Sequence, residues 1–343
     1  MTGVLRSVSL TTALRRRAVL RLGAATWIGF AGLQQRVRAQ ALVSAWPQRA
    51  LRLIVVYPPG GVSDAMARAL AEPLAHALGT PVLVDNRPGA GGSVGLDILA
   101  RAAPDGHTLA LSAISPLTLM PLIAPTPYDP MRAFIPVAGV MHTPVLVVGT
   151  PAFTGRNFGD LITQAREQPG ALRWATSGVA TIGHLVLAQV RLQSGVDITH
   201  VPYQGGGPQL NDALSGQFEV LSTNVAAQQL QYIASGRLRA LAVGAPRRLE
   251  ALPSVPTLAE LGFESANRDS LFGLFAPART PASVVQRLHA EVEALLQGAN
   301  LRQRLREAYN MPFAGSSEDF AREIALDRRR NRALMLKGRS QFD

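Results

Sequence analysis

The stretch YPPGGVSDAMARALAEPLAHALG, Tyr57 to Gly79, follows directly on Leu51–Val56, apolar at every position but Arg52. A run so nearly apolar reads as a buried strand. Pro58-Pro59-Gly60-Gly61 then ends the strand, because proline has no ladder N–H and glycine bends freely. From Val62 to Leu78, the residues Met66, Ala69, Leu70, Leu74, Ala77 and Leu78 fall on one side of a helix. Two readings of the turn stand at this point. It is a simple bend, or it is a seat for an anion, since backbone N–H groups at a helix start have no intrahelical partner.

Outward from this unit the same pattern returns. Val82-Leu83-Val84 is a strand, Arg87–Gly92 a second glycine turn, Ser93–Ala102 a helix and Thr108–Ser112 a strand. This βαβαβ order predicts a parallel sheet flanked by helices. Val137–Val148 is a long apolar stretch that crosses between lobes. A second α/β unit follows, with strands at Leu172–Ala175, Val201–Tyr203, Phe218–Ser222 and Leu238–Val243. The remainder gives a strand at Phe272–Ala276 and amphipathic helices near 282–297 and 317–336. Loops that lead from a strand end into a helix start recur at Pro58–Asp64, Thr176–His184 and Tyr203–Gln209. Open parallel sheets bind ligands beyond the carboxyl ends of their strands. Taken singly each loop is only a turn; together, three such loops from two lobes could enclose one small anion, with Ser63, Thr176 and Ser177 as hydroxyl donors.

At 343 residues the chain is long enough for two lobes. Residues 1–41 carry seven arginines and no Asp or Glu. They divide into a basic region ending at Arg17, an apolar stretch from about Leu22 to Leu33, and the cleavage pattern Ala39-Gln40-Ala41. An export signal cleaved near Ala41 is expected, with a mature start near Leu42 in the periplasm. Arg16-Arg17 leaves both the ordinary secretory and the twin-arginine routes open. Without the leader the formal charge of +11 drops to +4, which removes most of the case for nucleic acid. Cysteine is absent, so disulfides, a lipid anchor on cysteine and thiol catalysis are excluded.

Other chemistries lack their patterns. There is no phosphate-binding G-x-x-x-x-G-K-[ST] and no G-x-S-x-G elbow, and Lys337 is the only lysine. The six histidines show no paired metal spacing, and no cofactor is expected. Asp64 suits a helix start, where it meets the dipole and nearby N–H groups. His184 either faces the ligand or caps its helix, and Tyr203 is either a pocket wall or a core aromatic.

The segments YPPGGVSDAMARALAEPL, VDNRPGAGGSVGLDILARAAPDGHTLALS, TSGVATIGHL, HVPYQGGGPQLNDALSGQFEVL and GLFAPARTP stand in a characteristic order. Over nearly the whole mature chain they resemble the Bug-type, TctC-like family, the periplasmic substrate-binding proteins of tripartite tricarboxylate transporters. The resemblance implies an α/β, two-lobed type II periplasmic-binding-protein fold, each lobe a mainly parallel sheet flanked by helices. It implies lobe 1 from residues 46–146 plus 243–343 and lobe 2 from 147–242. It also implies a monomer that binds a small carboxylate, an organic acid or amino acid, and delivers it to a membrane permease of one large and one small subunit. The carboxylate contacts it implies are Gly60, Gly61, Ser63, Ser112 and Ser115 in the first lobe. In the second they are Thr176, Ser177, Gly178, His184, Tyr203, Gly205 and Asn224. Three positions depart from the family pattern. Ser112–Pro116 lacks a Thr-His, Glu219 replaces an Asp, and Ser270-Leu271-Phe272 lacks a Trp. The first bears on ligand choice, the others on structure. A ligand sensor partnering a membrane kinase is the alternative reading, and an exported enzyme ranks third.

Overall fold

A computed structural model describes residues 46–338 and Phe342; the expected leader and its cleavage site lie outside the described residues. The chain begins with β1 (Leu51–Val55), α1 (Val62–Leu78), β2 (Val82–Asn86), α2 (Ser93–Ala100) and β3 (Thr108–Ala113). Two single-turn helices, α3 (Ser115–Thr118) and α4 (Met120–Ile123), lead to β4 (Phe134–Thr143). A second series holds β5 (Val145–Gly149), α5 (Phe158–Glu167), β6 (Arg173–Thr176), α6 (Ile182–Ser194) and β7 (Thr199–Pro202). It continues through α7 (Gly206–Leu214), β8 (Val220–Asn224), α8 (Ala227–Ala234) and β9 (Arg239–Gly244). The chain then supplies β10 (Ser270–Pro277), α9 (Ala282–Gln297), α10 (Ala299–Glu307), β11 (Met311–Pro312) and α11 (Ser317–Gly338).

These strands form two sheets flanked by helices. One has the order β11-β4-β10-β3-β1-β2, the other β7-β6-β8-β5-β9. Each is parallel through its βαβ part, where β1 pairs with β2 and β3, and β6 with β7 and β8. Each is antiparallel around the strand that carries the chain in or out, β10 in the first sheet and β5 in the second. The apolar stretch Val137–Val148 is therefore two strands. Pro144 separates them, since a residue without an N–H cannot continue the ladder, and the chain leaves one sheet for the other there.

Burial explains why apolar runs rather than alternating patterns mark the central strands. In β5, Val145 and Val147 join the cluster around Trp174 and Leu185, while Leu146 and Val148 join the cluster around Phe218 and Leu221. Successive side chains point to opposite faces, and both faces are covered by helices. The first sheet has its own core around Ile54, Leu96, Phe275 and Phe320. Helix α11 serves both: Phe320 packs in the core of the first sheet and Met335 in that of the second. Glu219 forms a 2.6 Å ion pair with Arg173 across neighbouring strands, so this departure from the family pattern is a strand-edge feature.

Gly273 lies in β10, buried on both faces. A Cβ there would collide with the ring of Phe320 and approach the Ala138 carbonyl oxygen to 2.8 Å. The ring is fully buried and the carbonyl belongs to the ladder, so neither yields easily. Gly273→Ala is expected to lower stability by ~1–3 kcal/mol, the usual range for overpacking. Urea denaturation measures it, and a loss below ~0.5 kcal/mol, within the range of neutral surface substitutions, would show that the Phe320 ring moves aside.

Candidate functional site

The loop Pro58–Gly61 delivers the first helix with its N-terminus uncapped. Gly61 is the N-cap, in extended backbone, and no side chain bonds the first-turn N–H groups. By contrast α5 and α6 are closed by Asn157 and Thr181 side chains, which accept from Asp160 and His184 N–H. The carboxylate of Asp64 is taken up within the loop. It accepts from the Gly60 N–H at 3.0 Å and the Asn86 amide at 3.0 Å, and it pairs with Arg68 at 3.1 Å. Burial opposes its ionisation, but the Gly60 N–H, Arg68 and Asn86 outweigh burial and hold the carboxyl below the usual range. Its charge is thus balanced within the loop, and the N–H groups of the first helical turn remain for an anion.

These groups open into a cavity of about 530 Å³. Gly60, Gly61 and Ser63 line it from the loop after β1, and Ser115 from the loop after β3. Ser177, Gly206, Gly207 and Asn224 line it from the second sheet. Helix α7 likewise begins without a side-chain cap, at Gly205, so two uncapped helix starts share one cavity. The Asn224 amide donates to the Thr143 carbonyl at 3.3 Å and the Ser270 hydroxyl at 2.7 Å. Tyr57 also lines the cavity, its ring edge-on to Phe272 with centroids 6.3 Å apart. Burial raises the pKa of its phenol, so Tyr57 stays neutral and does not repel an anion.

Six of the sequence-derived residues therefore line the cavity: Gly60, Gly61, Ser63, Ser115, Ser177 and Asn224. The other six lie behind it or at its seams. Ser112 is fully buried and donates to the Ala113 carbonyl at 2.7 Å. The Thr176 hydroxyl bonds the Gly178 carbonyl and meets His200 Nε2 at 2.7 Å. Tyr203 donates to Asp212 at 2.7 Å and sits edge-on to Phe218. Gly178 closes a turn at φ +138, and Gly205 lies against Pro58, where a Cβ would overlap the proline ring. That last contact brings the two glycine-rich loops, one from each sheet, together. His184 is fully buried in α6 and stacked on His200, with ring centroids 4.1 Å apart. Its Nδ1 accepts from the Ala180 N–H at 3.1 Å, which assigns the proton to Nε2.

The sequence reading overlooked Arg304 and Glu307 of α10, the only charged side chains in the lining among the described residues. The signal was present: Leu301 and Leu305 are spaced by four and are both buried, as in a short amphipathic helix. It was hidden by a predominance of polar residues around them. The apolar wall from Met66 and Ala69 was legible as a helix face but not as part of a cavity.

Comparison with known proteins gives one consistent result. The family described as tripartite tricarboxylate transporter family receptor, TctC, matches residues 66–339. Protein BugT of Bordetella pertussis is 37% identical over 266 residues, covering 76% of this chain and 80% of its own. A protein of R. palustris solved with adipate superposes with TM-score 0.81 at 30% identity, over 85% of this chain and 98% of its own. MatC of Rhodopseudomonas palustris, with bound malate, superposes with TM-score 0.79 at 26% identity, over 87% of this chain and all of its own.

The histidine stack behind the cavity makes stability depend on pH. Burial, then His200 and Arg191, push His184 down to about 3; burial and Arg191 push His200 down to about 4. Both lie below the ordinary histidine value of 6.5, so between pH 6.5 and 4 the unfolded chain binds more protons than the folded one. Stability is therefore full above that window and falls as pH falls through it. For His184 alone, the fall by pH 5 is ~2 kcal/mol. His142 works in another window: burial opposes its charge, but Asp269 and Glu323 raise its pKa, so its contribution is lost only as pH rises. Melting temperatures should drop from pH 7 to pH 5, and less steeply in His184→Gln. Equal melting at both values would contradict this account of the stack.

Proposed function

The chain belongs to the tripartite tricarboxylate transporter family of receptors, and from that premise we propose that it captures a small carboxylate in the cavity between its two sheets. It binds rather than converts, as the solute-binding proteins of its family do. The observation that carries the proposal is the uncapped start of α1 at Gly61. A carboxylate seated there meets backbone N–H groups and the Ser63 hydroxyl, with Ser115 and Ser177 from the neighbouring loops. Charge-assisted hydrogen bonds of this kind hold an anion without a partner cation. The adipate and malate bound by the two R. palustris relatives fit the same ligand class.

The finer reading is that the protein works in the periplasm as a monomer, after cleavage near Ala41. Its lobes are residues 46–146 with 243–343, and 147–242. It hands its ligand unchanged to a membrane permease of one large and one small subunit. Arg304 and Glu307 meet the part of the ligand that the glycine loops leave uncovered.

Gly61 offers a clean test. Its φ of −83° and ψ of 172° suit any residue, and an added Cβ has only the Pro58 carbonyl oxygen near it, at 3.7 Å. Valine therefore fits the fold but fills the seat. A thermal-shift screen against adipate, malate and other small acids identifies a ligand, since a hundredfold excess over Kd stabilises the native state by about 2.7 kcal/mol. Calorimetry of the best acid should then show Gly61→Val weakening binding more than a hundredfold. That corresponds to two lost charge-assisted bonds of ~1.5–3 kcal/mol each. The ligand-free melting temperature should move little. A folded variant with the parental affinity would reduce the stretch to a turn.

A further inference from the structure

Helix α11 segregates its charges. Glu318, Asp319, Glu323 and Asp327 occupy its first half, whereas Arg328 to Lys337 holds five cations and no carboxylate. Five positive charges in ten residues exceed the +4 of the whole chain beyond residue 41, so everything else in that chain nets −1. The positive balance of the folded protein is the charge of this one segment.

The segment also faces outward in an ordered way. Asn331, Met335 and Gly338 are buried. The Asn331 amide reaches the Thr118 hydroxyl, and Met335 packs in the core of the second sheet. Arg329, Arg332, Ala333 and Leu336, at helical spacings of three, four and seven, are all exposed, with Lys337 beside them. Two acids of the helix are already paired, Asp327 with Arg268 and Asp319 with Arg322. Among the described residues no carboxylate pairs with Arg329, Arg332 or Lys337. Leu336 is 84% exposed, the highest value among the large apolar side chains described.

A helix dipole favours cations only within its last turn. That accounts for Lys337, but not for Arg329 and Arg332, which lie more than a turn before Gly338. Solvation alone accounts for isolated charges, but not for a face of one sign with an exposed leucine in it. A protein partner would be met by a mixed rim of both signs around an apolar centre. A single-sign stripe whose stems lie beside an exposed leucine matches a diffuse array of phosphates above hydrocarbon. We propose that the C-terminal half of α11 docks the protein on an anionic phospholipid surface.

The test is co-sedimentation of the full chain with vesicles of phosphatidylcholine, with and without phosphatidylglycerol. Wild type and variants share the same N-terminus, so the difference between them, not the level of binding, reports the contribution of α11. One basic side chain near an anionic surface raises partitioning roughly fivefold, so three give up to about a hundredfold before salt screens them. Wild type is expected to sediment with the phosphatidylglycerol vesicles at least about tenfold better than with pure phosphatidylcholine, and to be released by high salt. The triple substitution R329Q/R332Q/K337Q should sediment with the phosphatidylglycerol vesicles at least about tenfold less than wild type, with an unchanged melting temperature, whereas R329K/R332K should retain binding. Equal partitioning on both vesicles, or an R329Q/R332Q/K337Q protein that binds as wild type does, overturns the proposal. Wild type that ignores both vesicles, with ligand uptake by cells lost in the triple variant, also overturns it, in favour of an acidic protein surface.

Discussion

One side-chain amide touches both strands by which the chain passes between its sheets. Asn224, at the end of β8, donates to the carbonyl of Thr143 in β4 and to the hydroxyl of Ser270 in β10. Thr143 precedes Pro144, where the chain leaves the first sheet, and Ser270 opens the strand by which it has returned. All three lie at or beside the cavity, and Asn224 and Ser270 line it. The glycine loops that line the cavity are set relative to one another through this junction and through the approach of Gly205 to Pro58. A change in the angle between the sheets would alter the distance between the two uncapped helix starts.

The electrostatics of the cavity follow from that arrangement. Its glycine loops hold no cation, and the acid beside the first of them, Asp64, is balanced by Arg68 and by the Gly60 N–H. An anion placed there is met by fixed dipoles and neutral hydroxyls, Tyr57 included, rather than by a counter-charge. Such groups are oriented before the ligand arrives, so little ordering is required when it binds. They also leave no buried ion unpaired when the cavity is empty. The charged side chains of the lining, Arg304 and Glu307, come from a helix outside the glycine loops.

Much of this was legible in the residues. The strand-turn-helix at Leu51–Leu78 was readable because strand, turn and helix each have their own local signature, and the sheet follows from its repetition. Six of the twelve site residues line the cavity. What stayed hidden depended on distance in sequence. Nothing near His184 tells that His200 stacks on it, and nothing near Gly205 tells that Pro58 lies against it. Thr176 and Tyr203 carry the right chemistry for a ligand, yet their hydroxyls are taken by His200 and Asp212. The apolar stretch Val137–Val148 was readable as a crossing, but not as two strands, because hydropathy does not register a lost N–H; Pro144 was the available sign.

The central claim is that the cavity recognises a carboxylate through backbone dipoles. Calorimetric titration with the acid that stabilises the protein most, beside its uncharged methyl ester, tests this directly. The account predicts saturable binding of the acid, no measurable binding of the ester, and recovery of the acid unchanged. An ester that binds as tightly as its acid would contradict it.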